Sequence, residues 1–284
     1  MKKLLAMIDG SIYSQSVCAH AAWAASRLGC EVELLHVIGR RATPGAPANF
    51  SGNLDAGSRE VLLQELVELD AQANKVAQKR ARLILAQGKD AVLSGGAGNV
   101  STMLRLGDLP EEATTLTKDA GLSVIGKRGE AADFAKLHLG SNLERVVRAS
   151  TKPVLIANRE FKPISSFLVA FDGQKISAAA LAFISQNALF TGLTAHVVMA
   201  GDETVANRQS VEGAVATLKA KGIDASGHLI AGQADRVLSS YVQDHSIGLV
   251  VMGAYSKSSW RHLFLGATTT ETIRACLVPI LIYR

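Results

Sequence analysis

Aromatic side chains are scarce, at 5% of 284 residues. A single-strand nucleic-acid groove needs stacking platforms, and this composition does not supply them. Charge of one sign is not in surplus either. The formal net charge is +5, and the Lys and Arg are scattered rather than gathered into a stripe, so nucleic-acid binding is not expected, although small polyanions such as nucleotides stay compatible. Cysteine is limited to Cys18, Cys30 and Cys276. An odd number without CxxC spacing excludes a disulfide framework and reads as reduced, buried thiols in a reducing compartment. Long apolar runs are missing as well. The opening Met-Lys-Lys-Leu-Leu-Ala-Met-Ile reaches Asp9 too soon for a signal-peptide core. The uncharged stretch from Ile176 to Gly201 contains Ser177, Gln186, Asn187, Thr191, Gly192, Thr194 and His196, which suits a helix, a turn and a buried strand better than a membrane span. The expectation is a cytoplasmic protein with no membrane partner.

What the chain has in quantity is hydrophobic residues, 48%, in a length that suggests two domains. Sliding the sequence on itself locates them. Leu5-Ala-Met-Ile-Asp9-Gly10 matches Leu168-Val-Ala-Phe-Asp172-Gly173, and His36-Val37 matches His196-Val197. Leu122-Ser-Val-Ile-Gly126 matches Leu249-Val-Val-Met-Gly253, and Gly140-Ser141-Asn142 matches Gly266-Ala267-Thr268. Arg148-Ala149 and Pro153-Val-Leu-Ile recur as Arg274-Ala275 and Pro279-Ile-Leu-Ile. The order is kept throughout, which predicts two copies of one domain, 1–158 and 165–284, with a short polar link around Pro163.

The first copy is longer by about 35 residues, placed between positions 39 and 99. Arg40 to Gly57, rich in Gly, Pro, Ala and Asn, reads as a loop. From Ser58, a plausible N-cap, apolar spacing predicts a helix to Ser94, with Gly88 as a potential break and Gly95–Gly98 as its stop. Each copy reads as five strands alternating with helices. LSVIG and LVVMG are apolar at nearly every position, as strands buried on both faces are. The fold class is therefore α/β: two doubly wound, five-stranded parallel sheets of strand order 3-2-1-4-5, related by a pseudo-twofold.

In such a sheet, ligands bind at the carboxyl ends of the strands where the order reverses. Asp9 ends the first strand, Gly126 the fourth, and Val37 lies at the end of the second. After Gly126-Lys127-Arg128-Gly129 come ten residues and then Gly140-Ser141-Asn142, opening a helix. Small residues let phosphate oxygens reach backbone amides, a helix N-terminus favours anions, and Lys127 and Arg128 add positive charge. The same residues are also compatible with an ordinary glycine loop followed by an N-cap.

The combination of G-x2-G-x9-G-[S/T] with an early Asp-Gly-Ser and a His-Val resembles the universal stress protein family, in its tandem, proteobacterial form. GKRGEAADF…HLGSNLERVVRAS is similar to the first half of such chains, and GAY…LG.TTTE to the second. The resemblance implies ATP or another adenine nucleotide as ligand, with or without Mg; a slow ATPase would need a magnesium-holding carboxylate, for which Asp9 is the one obvious candidate. The resemblance also implies that Asp9 contacts ribose, that the Val37 backbone contacts adenine, and that Gly126, Lys127, Arg128, Gly129, Gly140, Ser141 and Asn142 surround the phosphates. The spacer here is ten residues rather than nine. In the second copy the corresponding set is Asp172, Val197, Gly253, Ser256, Gly266, Ala267 and Thr268. There Ser256 stands where the motif has Gly, and Ala267 where it has a hydroxyl, which leaves either a weaker site or a structural half.

No catalytic residue and no metal-ligand spacing stands out; His36 and His196 read as satisfied crevice histidines. Gly121-Leu-Ser-Val-Ile-Gly126-Lys127-Arg128 approaches a P-loop, but Arg128 stands where Ser or Thr would hold magnesium and the intervening residues form a strand. Binding without turnover is the expected function; a nucleotide-free scaffold or a slow ATPase or phosphotransferase are the alternatives. The last strands, PVLIA and PILIY, are apolar and uncharged. Strands of that kind at a sheet edge invite pairing. Members of the family commonly dimerise through this strand, so the expectation is that 154–157 pairs antiparallel with 280–283 inside the chain, or with a second chain in a homodimer.

Overall fold

A computed structural model describes residues 2–39, 56–129, 141–253 and 267–283. The first half runs β1 (Lys3–Met7), α1 (Tyr13–Leu28), β2 (Glu31–Gly39), α2 (Ala56–Ser94), β3 (Val100–Gly107), α3 (Leu109–Leu116), β4 (Leu122–Gly126), α4 (Ser141–Ala149) and β5 (Val154–Ala157). The second runs β6 (Ser166–Ala170), α5 (Lys175–Gln186), a 3-10 turn at Ala188–Phe190, β7 (Thr194–Ala200), α6 (Val205–Lys219), β8 (Ala225–Ile230), α7 (Ala234–Asp244), β9 (Leu249–Gly253), α8 (Ala267–Ala275) and β10 (Ile280–Tyr283). Local chemistry sets several of these boundaries. Gly29 closes α1 in the left-handed conformation with φ +60. The side chain of Asp108 caps α3 ahead of Pro110, and Thr204 caps α6 by accepting the Asn207 amide at 3.1 Å.

The strands form one ten-stranded sheet of order β3-β2-β1-β4-β5-β10-β9-β6-β7-β8. Each half keeps parallel neighbours in the doubly wound order, and the order is a palindrome about its centre. There β5 and β10 run antiparallel, with Ile280 opposite Ile156, Leu281 opposite Leu155 and Ile282 opposite Val154. A pseudo-twofold axis therefore passes through the seam. Matching hydrogen bonds confirm the equivalence of the halves near it: the Ser123 amide donates to the Pro153 carbonyl at 3.1 Å, and the Val250 amide to the Pro279 carbonyl at 3.0 Å.

Helices α1, α2, α5 and α6 cover one face, and α3, α4, α7 and α8 the other. Each face has one apolar core that continues across the seam: Leu155 and Leu281 share one, Val154, Ile156, Ile280 and Ile282 the other. The four side chains of β5 and Ile280–Ile282 of β10 are buried. Arg27, at the end of α1, further ties the halves by donating to the carbonyls of Leu189 and Thr191. His20 of α1 packs edge-on against Phe161 of the link, ring centres 4.9 Å apart. All three cysteines are free and buried, and burial raises the thiols of Cys18 and Cys276 to pKa values of about 11.

Two expectations change here. Helix α2 does not break at Gly88. A Cβ there would lie 2.7 Å from Ile8 and 3.3 Å from Leu34, so this glycine is what lets an unbroken helix lie close on the sheet. The helix also begins at Ala56, two residues before the expected cap. The loop expected from Arg40 falls outside the described residues up to position 55.

A candidate binding edge at the turn after the first strand

Strand register fixes what meets at the carboxyl edge. Met7 lies opposite Leu35 of β2 and Ile125 of β4, so Asp9, Val37 and Lys127 sit at one level, with the Asp9 strand between the other two. Past Ile8 the chain turns sharply through Gly10, φ +82, a conformation that side chains disfavour. Asp9 stabilises its own turn: its Oδ1 accepts the Ser11 amide at 2.9 Å and the Ser14 hydroxyl at 3.2 Å. Ser14 in turn accepts the amides of Asp9 and Gly10 at 3.2 and 2.9 Å. The carboxylate is thus held in one orientation before any ligand arrives. Ser14 was not among the residues singled out from sequence, although the signal existed: Asp-x4-Ser occurs as Asp9…Ser14 and again as Asp172…Ser177.

The loop after β4 folds back onto this carboxylate. A Cβ on Gly129 would lie 2.7 Å from Asp9 Oδ2, so a side chain at 129 would cover it. Gly126 has a different demand on it. Its Cβ would meet Tyr13 of α1 at 2.9 Å and the Arg128 carbonyl at 3.1 Å, and in the other half a Cβ on Gly253 would meet Ile176 of α5 at 2.5 Å. The glycine ending the fourth strand of each half is therefore required by the helix that packs across it, whether or not phosphate binds there.

Lys127 stands apart from the expected phosphate group. Its main chain hydrogen-bonds to Ala157 on the β5 side of β4, away from β1. Its ammonium reaches across the seam and donates to the carbonyls of Arg274 and Cys276 at 3.0 and 2.9 Å. That satisfies the C-terminal end of α8, where carbonyls have no helical partner and the dipole favours a cation. Burial lowers the Lys127 pKa to about 8, with the neighbouring Arg128 charge adding to the effect and Cys276 opposing it. Lys127 is a bolt between halves, and the structure does not bring it to Asp9. Arg128 is half-buried beside it. Helix α4 begins at Ser141, Asn142 is exposed, and Glu144 puts a carboxylate in the first turn. Gly140 lies outside the described residues.

In the second half, Asp172 repeats the turn: its Oδ1 accepts the Gln174 amide at 2.9 Å, and Gly173 has φ +71. Ser177 does not follow. Its hydroxyl donates to the Gln174 carbonyl at 2.9 Å instead of bracing the carboxylate. Val197 needs correction. Phe171 donates to Val198 as Ile8 donates to Leu35, so Val198 is the counterpart of Leu35, and Val37 corresponds to Ala200. Val197 lies three residues earlier, buried inside β7 and short of the edge. His36 and His196 consequently are not equivalents. His36 bonds the Ile8 carbonyl at 2.8 Å, whereas His196 bonds the Tyr241 hydroxyl at 2.9 Å. Helix α8 begins at Ala267 with Thr268 following; Ser256 and Gly266 lie outside the described residues.

A cavity of about 610 Å³ lies away from Asp9, at the far edge of the sheet between β8 and α7. His228, Tyr241 and His245 line it, with Arg236 and Asp244. Tyr241 and His245 stack at 3.8 Å, and burial, followed by repulsion among the imidazoles, lowers the pKa of His196 and His228. Among the described residues no group of three or more His, Cys, Asp or Glu is arranged to hold a metal ion, and no helix is long and apolar enough to cross a membrane.

A doubly wound half built twice, with an aspartate turn at the same strand end in both, defines the class of protein. Comparison with known proteins gives its family. The universal stress protein family model matches twice, over residues 1–158 and 164–284. A universal stress protein of Synechocystis sp. is 34% identical over 290 residues, spanning the whole of both chains. The chain belongs to the universal stress protein family. Among solved structures, a universal stress protein from Archaeoglobus fulgidus DSM 4304 superposes with TM-score 0.73 at 20% identity, covering 99% of this chain and 95% of its own. A chain from Pseudomonas aeruginosa UCBPP-PA14 superposes with TM-score 0.64 at 17% identity, covering 99% and 92%.

Proposed function

We propose that the first half binds an adenine nucleotide, ATP in particular, along the carboxyl edge of β1, β2 and β4, and that the chain acts through the bound conformation rather than by turnover. The observation that carries this reading is the braced Asp9 carboxylate with Gly129 against its second oxygen. A ribose hydroxyl needs a fixed acceptor, and the missing side chain at 129 keeps that acceptor from being buried. Val37, level with Asp9 on the neighbouring strand, offers backbone groups to the adenine edge. Phosphates would lie along Gly126–Gly129 and Gly140–Ser141–Asn142, with Arg128 supplying charge. Lys127 contributes by holding the base of that loop. The second half, with Ser177 turned away and Ser256 and Ala267 in the motif, binds more weakly or not at all.

Calorimetric titration of the intact chain with ATP, ADP and AMP tests this. One ATP per chain is expected, and Gly129→Leu should weaken it at least tenfold with the circular dichroism unchanged. Unchanged affinity in a folded Gly129→Leu chain would sink the assignment.

A nucleotide-free scaffold is the second reading, and two observations favour it: Glu144 already places negative charge at the start of α4, and Lys127 is committed to α8. Nucleotide released on denaturing freshly purified protein separates the readings, since a scaffold would release none.

A further inference from the structure

The two halves differ most in one helix. Both α2 and α6 follow the second strand of their half, but α6 has 15 residues and α2 has 39. At 1.5 Å per residue α2 is roughly 58 Å long. Its C-terminal part is a normal sheet-packing helix: Ala81, Leu85 and Val92 are buried against β1, β2 and α1. Toward the N-terminus nothing comparable among the described residues holds it. Val61, Leu63, Leu66, Val67, Leu69 and Val76 are exposed by 60, 55, 38, 68, 61 and 67%. Of these, Leu66, Leu69 and Val76 share one face, and exposed apolar residues in such a row mark an interaction surface.

The pattern of the arm specifies what covers it. Leu62, Leu66, Leu69, Ala73 and Val76 alternate at spacings of four and three, the repeat of a coiled-coil seam. The charge is polarised along the helix. From 60 to 70 the charged residues are Glu60, Glu65, Glu68 and Asp70; from 71 to 82 they are Lys75, Lys79, Arg80 and Arg82. Two such arms side by side in parallel would set acid against acid and base against base. Antiparallel, with Leu66 facing Val76 and Leu69 facing Ala73 of the other copy, the acidic half of each meets the basic half of its partner, and Glu65 flanks Lys79 on both sides of the axis.

We propose that the α2 arm is a homodimerisation element: residues 60–80 pair with the same segment of a second copy as an antiparallel two-helix coil. The sheet edge that PVLIA and PILIY would offer to another chain is already consumed inside this one, so the arm provides a separate route to association. This is independent of nucleotide binding.

Light scattering on the full chain at tens of micromolar should give twice the chain mass of 29.9 kDa, falling to that mass in Leu66→Lys/Leu69→Lys. Glu65→Lys should also dissociate the dimer, and the swap Glu65→Lys/Lys79→Glu should restore it. Because the native cysteines are buried, introduced ones report geometry. Under mild oxidation Gln72→Cys chains, near the axis, should crosslink to one another. Glu65→Cys chains should not, yet should crosslink to Lys79→Cys chains. Self-crosslinking of Glu65→Cys would mean a parallel coil and overturn the proposal. So would a monomeric wild-type chain with a helical arm, whether or not that arm then bound lipid vesicles.

Discussion

The two halves make the same turn after their first strand and use it differently. Asp9 and Asp172 each accept the amide two residues on, with a left-handed glycine between. Only in the first half does the serine five residues on brace the carboxylate; in the second, that serine bonds the helix backbone. The seam shows the same split. Lys127 caps α8 across it, and the sequence of the second half has alanine, not lysine, at the corresponding position 254. The shared turn belongs to the fold, because the strand must reverse into its helix. Among the described residues the bracing of the carboxylate occurs in the first half alone, and the functional proposal rests on that difference.

The largest way to break the comparison is to break the seam. Ile282 is fully buried, and Ile282→Asp forces a carboxylate into both the sheet and an apolar core. A loss of about 4 kcal/mol or more is expected, and denaturant melting should change from one transition to two, with the halves unfolding separately. A single sharp transition in the variant would show that the halves do not depend on this strand.

Acid should loosen the joint next. His20 is wholly buried, its Nδ1 donates to the Ser16 carbonyl at 2.7 Å, and its Nε2 has no hydrogen-bond partner. Burial lowers its pKa to about 4, with the Ser16 bond opposing. A folded pKa below the unfolded value means that the unfolded chain takes up the proton first. The contribution is therefore complete above pH 6.5 and declines as pH falls toward 4, by about 3 kcal/mol. His20→Gln should flatten that part of the stability–pH curve. An unchanged slope would assign it elsewhere, to the His196 and His228 group.

Third, Asp9→Ala and Asp172→Ala should separate the halves as binding sites. The first should reduce ATP affinity about tenfold or more, roughly 1.4 kcal/mol, and the second should leave it unchanged in the same titration. Equal losses would make the halves equivalent. The smallest effect is Lys127→Met, which leaves two helix-end carbonyls without their donor. About 1 kcal/mol of stability should be lost, with ATP affinity changed less than twofold.

Much of this was legible in sequence. The fold class, the repeat and the strand order followed from apolar strands and the recurring blocks around Gly126 and Gly253. The errors have physical causes. His36-Val37 and His196-Val197 look alike, but the backbone bonds Ile8 to Leu35 and Phe171 to Val198 put them three residues out of step. Sheet register is a property of two strands, and a dipeptide match in one does not contain it. Gly88 read as a break because glycine weakens a helix by about 1 kcal/mol; close packing on Ile8 and Leu34 overrides that. Lys127 read as a phosphate ligand because its neighbours are glycines, and nothing local reveals a reach of 147 positions along the chain to Arg274.

The antiparallel meeting of β5 and β10 has one more consequence. Two identical chains joined edge to edge must mutate together: each substitution appears on both sides, and the complex falls apart on dilution. Here both sides lie on one chain. Dilution cannot part them, and the two sides are free to carry different residues, as Lys127 and Ala254 do at equivalent positions of the sequence. The joint can be asymmetric, so one half can lose its ligand contacts and persist as a permanent, covalently attached wall for the other.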